Sequence, residues 1–225
     1  MDQLNRKAFL GLAQLTIILA PSVFVPAGTI NYWQGWVFLS VFFISSLLIT
    51  VYLMNNDPKL LERRVKGGPT SEKEKSQKII QAFASLTFLS IIIFPALDYR
   101  FRWSFVPVFV ALTGDALIAL GFGLVFLVFR ENTFTSAIIE VDEKQKVIAT
   151  GPYSIVRHPM YAGALVLLCG IPLALGSCWG LFALMPLTLI IIWRLLDEEK
   201  FLTTNLTGYL NYQEKVKYRL VPFVW

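Results

Sequence analysis

Charge is scarce in this chain. Only 16% of its 225 residues are Asp, Glu, Lys or Arg, and there is a single histidine, His158. A soluble domain carries about 25% charged residues, so the deficit excludes an ordinary water-solvated surface over much of the chain. Cysteine is nearly absent as well. Cys169 and Cys178 are the only two, and both sit in apolar context with no metal-type spacing and no histidine nearby. They read as buried or lipid-facing thiols, and no metal site is expected. There is no internal repeat and no low-complexity tract. The net charge of +5 and pI near 9.2 do not point to nucleic acid. The basic residues lie between apolar runs, where membrane proteins carry them.

What the chain does have is apolar length. It is 56% hydrophobic with a mean hydropathy of +0.61, against roughly 45–50% apolar residues in soluble domains. Six apolar runs stand out, at about 8–27, 34–54, 79–97, 105–129, 160–175 and 179–194. A membrane-spanning helix needs about 20 such residues. The first four runs meet this. The last two are shorter and are parted by Gly176-Ser177-Cys178, a tight turn, so they predict a helical hairpin whose second helix continues past the membrane. The first run is long for a signal peptide, contains Pro21 and Pro26, and lacks a clear cleavage site, so an uncleaved span is expected.

Charge placement agrees with six alternating spans. With the N-terminus in the cytoplasm, all but Arg100 and Arg102 of the 20 Lys and Arg residues fall on the inner side, a strong positive-inside bias. Five spans would break that alternation. Tyr32, Trp33 and Trp36, then Tyr99, Phe101 and Trp103, and finally Trp179 fall at the outer boundary, as an aromatic belt does. Three polar stretches remain inside: residues 55–78, with a helical second half; residues 130–158; and a tail from 195 to 225 whose aromatics (Phe201, Tyr209, Tyr212, Tyr218, Phe223, Trp225) are too many for a disordered segment. The tail reads as a cap packed under the bundle.

Arg157-His158-Pro159 marks the start of the fifth helix. Proline suits the first helical position, where its missing N–H costs nothing, and the residue before it avoids helical geometry. The helix then opens at Pro159, with the N–H groups of Met160, Tyr161 and Ala162 free to meet an anion. Gly163 permits a close approach by another backbone or a ligand. Taken alone, the segment serves equally as a plain capped helix start. Across the hairpin, Arg194 and Glu198 are four apart and share a helix face, while Glu199 points about 100° away. Counting residues from the turn brings Pro159 and Arg194 level within about one helical turn. The two ends should therefore meet in one pocket.

The ordered set Arg157-His158-Pro159-Met160-Tyr161-Ala162-Gly163, then Glu198-Glu199, Gly208-Tyr209 with Tyr212, and Arg219-Leu220-Val221-Pro222 resembles the isoprenylcysteine carboxyl methyltransferases and their phospholipid-methyltransferase relatives. The resemblance covers residues from about 130 to 225. It implies an all-α integral membrane protein of about six transmembrane helices, with a C-terminal helical hairpin and a cytoplasmic cofactor-binding cap. It also implies S-adenosylmethionine as the methyl donor and a lipophilic acceptor, with membrane lipids as neighbours. Residues 1–129 would form a four-span membrane region and 130–225 the methyltransferase core. Carried over motif by motif, Gln145, Lys146, Val147, Ile148 and Tyr153 would line the adenosine end of the cofactor, and Glu140 would accept from its adenine or ribose. His158, Pro159, Met160 and Tyr161 would complete the cofactor site, Glu198 would contact the cofactor, and Arg194 would hold the substrate.

Two weaker signals lie in the fourth span. An intramembrane carboxylate such as Asp115 is a functional candidate by default, but it sits about 20 Å from the inner end of its helix, so a structural hydrogen bond or an outer-half polar contact is expected. Gly121-Phe122-Gly123 is similar to a Gly-x-Gly element of the phospholipid methyltransferases, although a close helix-packing site is the simpler reading.

Overall fold

The computed structural model describes residues 3–67, 75–139, 141 and 145–225. Among these the chain is helical: α1 (Gln3–Ala27), α2 (Trp33–Asn56), α3 (Pro58–Val65), α4 (Lys75–Phe101), α5 (Val108–Glu131), α6 (Pro159–Ala174), α7 (Gly180–Asn205) and α8 (Tyr209–Lys215), with one 3₁₀ turn at Gly151–Ser154. Five of them, α1, α2, α4, α5 and α7, are long and apolar enough to cross a membrane, and α6 is a shorter apolar helix. The chain is a multi-pass integral membrane protein. Large apolar side chains such as Ile17, Leu48, Leu86 and Leu189 are exposed, as lipid-facing positions must be when lipid replaces water as the solvent.

At 16 residues, α6 reaches only about 24 Å at 1.5 Å per residue. It still runs from one end of the bundle to the other. Its first turn meets α7 through Tyr161 and Glu198. The residue after its last turn, Leu175, accepts a hydrogen bond from Tyr32 at the start of α2. The alternation of six crossings therefore survives even though one of them is short.

Helix α6 packs against α5 along a glycine seam. A Cβ built on Gly114 would lie 2.2 Å from the Ala174 nitrogen, and one on Gly121 2.7 Å from the Gly163 carbonyl oxygen. From the other side, a Cβ on Gly170 would meet the Gly114 carbonyl oxygen at 2.5 Å. These glycines recur every seven residues on each helix and let the backbones touch, which is how helices associate where lipid gives no hydrophobic drive. Gly121 is thus a packing residue, and so is Gly163, which is approached by the α5 backbone. Gly123 has nothing within 4 Å of a Cβ built on it.

At the hairpin end a buried carboxylate, Asp98 of α4, ties three segments together. It accepts from the Ser104 N–H at 2.7 Å and hydroxyl at 2.5 Å, and from Ser177 in the α6–α7 turn. Gly176 adopts φ +72° there, the left-handed geometry the tight turn needs. Tyr32 departs from the aromatic-belt expectation. It is fully buried, stacks on Tyr99 at 4.0 Å, and donates to the Leu175 carbonyl at 2.5 Å. The remaining belt residues Trp33, Trp36, Phe101, Trp103 and Trp179 stay exposed.

One further expectation, that for Asp115, needs correction, and the 55–78 stretch gains a helix. Its second half opens α4 from Lys75, with 68–74 outside the described residues, while its first half forms the unexpected α3, capped by Asp57 accepting from the Leu60 N–H at 3.0 Å. The Asp57-Pro58 start and the apolar pair Leu60 and Leu61, buried against Ala8, Leu53 and Phe129, are the cause. Asp115 is buried, and neither of its oxygens has a hydrogen-bond partner among the described residues, so of the two expected roles the structural hydrogen bond is not made among them.

Candidate active site

The end opposite Asp98 is organised by Glu199. Its carboxylate is buried and accepts from Arg157 Nε at 2.7 Å and Arg219 Nε at 2.8 Å, with His158 Nε2 at 3.3 Å. Arg157 also donates to the carbonyls of Val216 and Lys217 at 2.8 and 2.9 Å. The backbone joins in, since Arg157 N–H bonds the Tyr218 carbonyl and His158 N–H bonds that of Arg219, both at 2.9 Å. One acid thereby fastens the start of α6, the end of α7 and the tail. Removing a partner from such a buried set strands a charge, which costs about 3–5 kcal/mol. These contacts come from the Arg-His-Pro and Arg-Leu-x-Pro motifs, yet nothing in their spacing says that they converge on the second glutamate.

Helix α6 begins at Pro159 with His158 as its N-cap. Only Met160 and Tyr161 keep free first-turn N–H groups by position, because Ala162 N–H already bonds the His158 carbonyl at 3.1 Å. The expectation of three such groups was one too many. His158 is the non-helical cap residue, so its carbonyl begins the intrahelical ladder.

A cavity of about 320 Å³ opens beside this cap. Its wall contains Gln145, Lys146, Val147 and Ile148 from the loop, and Tyr153 from the 3₁₀ turn. His158, Pro159, Met160 and Tyr161 contribute from α6, and Arg194 and Glu198 from α7. Glu140 lies outside the described residues. The helix ends do meet: Tyr161 Oη donates to Glu198 Oε2 at 2.6 Å, and Arg194 Nε donates to Tyr161 Oη at 3.2 Å. Arg194 is further oriented by Gln77 Oε1 at 2.9 Å and the Ala137 carbonyl at 3.3 Å, and Gln77 in turn donates to Asp197.

Several wall residues had no signal in the sequence. Arg64 enters from α3, Gln81 from α4, and Asn132 with residues 134–139 from the loop after α5. Tyr209 and Tyr212 join the wall from the tail; the tail's aromatic spacing and the Gly208-Tyr209 motif with Tyr212 had marked them without saying that they line a cavity. Burial pushes the phenols of Tyr153, Tyr209 and Tyr212 well above their usual range, so they remain neutral hydrogen-bonding groups. Tyr212 donates to the Tyr153 carbonyl at 2.7 Å, and Asn132 Nδ2 donates to Tyr153 Oη at 3.1 Å. Tyr209 Oη is buried without a partner among the described residues, an unmet polar group on the cavity wall.

Residues 109–207 match the family model described as phospholipid methyltransferase, which is related to the isoprenylcysteine carboxyl methyltransferases. The matched stretch takes in α6, all of α7 and nearly all of α5, and with them the seam, the hairpin and the Tyr161–Glu198–Arg194 set. The resemblance seen in the motifs is borne out over this stretch. No curated protein matches the chain.

Proposed function

We propose that this protein is a membrane methyltransferase that transfers a methyl group from S-adenosylmethionine to a lipophilic carboxylate, most like the C-terminal carboxyl of a prenylated cysteine. The observation that carries the proposal is the meeting of Tyr161, Glu198 and Arg194 on one cavity wall at the cap. The family match over the same helices supports methyl transfer as the chemistry. By the distribution of Lys and Arg, the cap and both termini face the cytoplasm.

The donor set suits S-adenosylmethionine. Glu198 would hold its cationic amino-acid end. The Met160 and Tyr161 N–H groups at the start of α6 suit its carboxylate. Gln145 to Ile148 and Tyr153 would line the adenosine, and the unmet hydroxyl of Tyr209 has capacity for one more hydrogen bond. When bound, S-adenosylmethionine would supply an electrophilic methyl group. A C-terminal carboxyl has a pKa of roughly 3.3–3.7 and is ionised at neutral pH, so the acceptor needs no base. The protein's task is then alignment. Arg194, fixed in place by Gln77 and Tyr161, orients the acceptor carboxylate. Holding both partners in register can contribute several kcal/mol. Enclosure by the cap removes water that would otherwise solvate the carboxylate.

The name of the matched family favours a second reading, N-methylation of a phospholipid amine. That chemistry must remove a proton from an ammonium. Glu199 is poorly suited to the task, since both of its oxygens are engaged by arginines, and Tyr161 would have to serve.

Purified protein incubated with methyl-labelled S-adenosylmethionine and either a prenylated cysteine or an ethanolamine phospholipid distinguishes the two. Base-labile label on the first is expected. Base-stable label on the second alone would replace the carboxylate reading with the amine reading. Label on neither, together with no calorimetric binding of S-adenosylmethionine, would sink both. Arg194→Ala should lower transfer to the carboxylate while S-adenosylmethionine still binds, and full transfer by that variant would refute its role.

A further inference from the structure

A second cavity, of about 690 Å³, lies on the other side of Arg64. It is a cleft between α1, α2 and α5, walled by Gly11 and Leu15, by Ser46 and Leu53, and by Phe122 and Phe129. Its volume falls in the range of about 300–1,000 Å³ usual for ligand sites. From Phe129 to Phe122 it extends about 10 Å along the helix axis at 1.5 Å per residue. Leu10, which also lines it, is 52% exposed, so the cleft is open at the surface that α1 turns to lipid.

Among the described residues, Arg64 is the one that lines both cavities. Its guanidinium donates to the Ser136 carbonyl at 3.0 Å, lies 3.8 Å from Met160 Sδ, and sits 5.2 Å over the Phe129 ring. Among the described residues it pairs with no carboxylate. Lys7 adds a second cation to the cleft wall, which holds no acidic residue among the described residues. The nearby Glu62 is turned to Lys66 at 2.9 Å. A half-buried guanidinium between an apolar cleft and a polar cavity suits an amphiphile whose anionic head follows directly on its tail.

We infer that the cleft between α1, α2 and α5 holds the hydrocarbon chain of a carboxylate amphiphile and that Arg64 captures its head where the two cavities meet. The inference rests on the reading of the acceptor as a lipophilic carboxylate, and it makes Arg64 a specificity residue that admits an anion. A neutral ester of the same chain keeps the tail contacts but lacks the charge. An amine of the same chain places a cation against a cation.

The full chain in phosphatidylcholine nanodiscs would be photolabelled with a diazirine-bearing dodecanoate, its methyl ester and the corresponding dodecylamine, and the labelled peptides mapped by mass spectrometry. Dodecanoate should label α1, α2 and α5 around the cleft more strongly than the ester or amine. Arg64→Gln should reduce that labelling by about tenfold or more and leave ester labelling unchanged, which also shows that the variant is folded. Arg64→Lys should restore part of the preference. Gly11→Phe, at a position where an added Cβ meets nothing within 4 Å, should block acid and ester alike. Equal labelling by acid and ester, or an Arg64→Gln variant that keeps the acid preference, overturns the inference. Arg64-dependent labelling in a wild-type protein that binds no S-adenosylmethionine would uphold the site and remove the methyltransferase reading.

Discussion

The two ends of the α6–α7 hairpin both bury acids, and they use them differently. At the turn, Asp98 accepts from Ser104 twice and from Ser177, and neutral donors hold it in a closed corner. At the cap, Glu199 is held by two arginines and His158. The next residue in sequence, Glu198, faces a cavity and accepts from Tyr161. The difference separates scaffold from chemistry. An acid whose lone pairs are consumed by fixed protein donors organises elements, whereas an acid on a cavity wall retains acceptor capacity for a ligand. That Glu198 and Glu199 are neighbours on one helix makes the contrast testable by single substitutions.

Glu199→Ala should have the largest effect. It strands the buried Arg157 and takes a partner from the half-buried Arg219, and a loss of about 3–5 kcal/mol is expected, visible as a lower thermal midpoint in detergent. An unchanged midpoint would mean that the cap is held by something else. Glu198→Gln should come next and act on a different observable. The fold should keep its midpoint, while S-adenosylmethionine affinity measured by calorimetry falls by about 10- to 100-fold, the worth of a hydrogen bond to a charged group. A variant that binds as well as wild type would move Glu198 to the scaffold class. Asp98→Asn should be mildest, at about 1–2 kcal/mol of stability, with no change in cofactor affinity. A change in affinity there would show that the two ends communicate.

Much of the fold was legible because lipid imposes simple rules. Every spanning segment must be long, apolar and helical, and basic residues mark one side, so the runs near 34–54 and 105–129 reappear as α2 and α5 with ends shifted by one to three residues. The His158-Pro159 start and the Gly176 turn were also legible, since each follows from the local geometry of one residue type. The levelling of Pro159 with Arg194 followed from counting helix rise.

The remainder depended on partners distant in sequence. Tyr32 has the composition of an interface anchor, yet its fate was set by Leu175 and Tyr99. Gly114 and Gly121 are ordinary span glycines until α6 lies against them. Arg64 belongs to a polar loop until α3 folds Leu60 and Leu61 inward and carries its guanidinium between two cavities.

The sequence alone determined a membrane bundle, its hairpin and the local shape of the Arg-His-Pro helix start, because these follow from hydropathy, charge placement and the backbone limits of proline and glycine. Only the tertiary structure decided that Glu199 is bound on both oxygens while Glu198 faces a cavity. The two residues are identical and adjacent, and what distinguishes them is the 100° between successive helical side chains and the neighbours each direction meets.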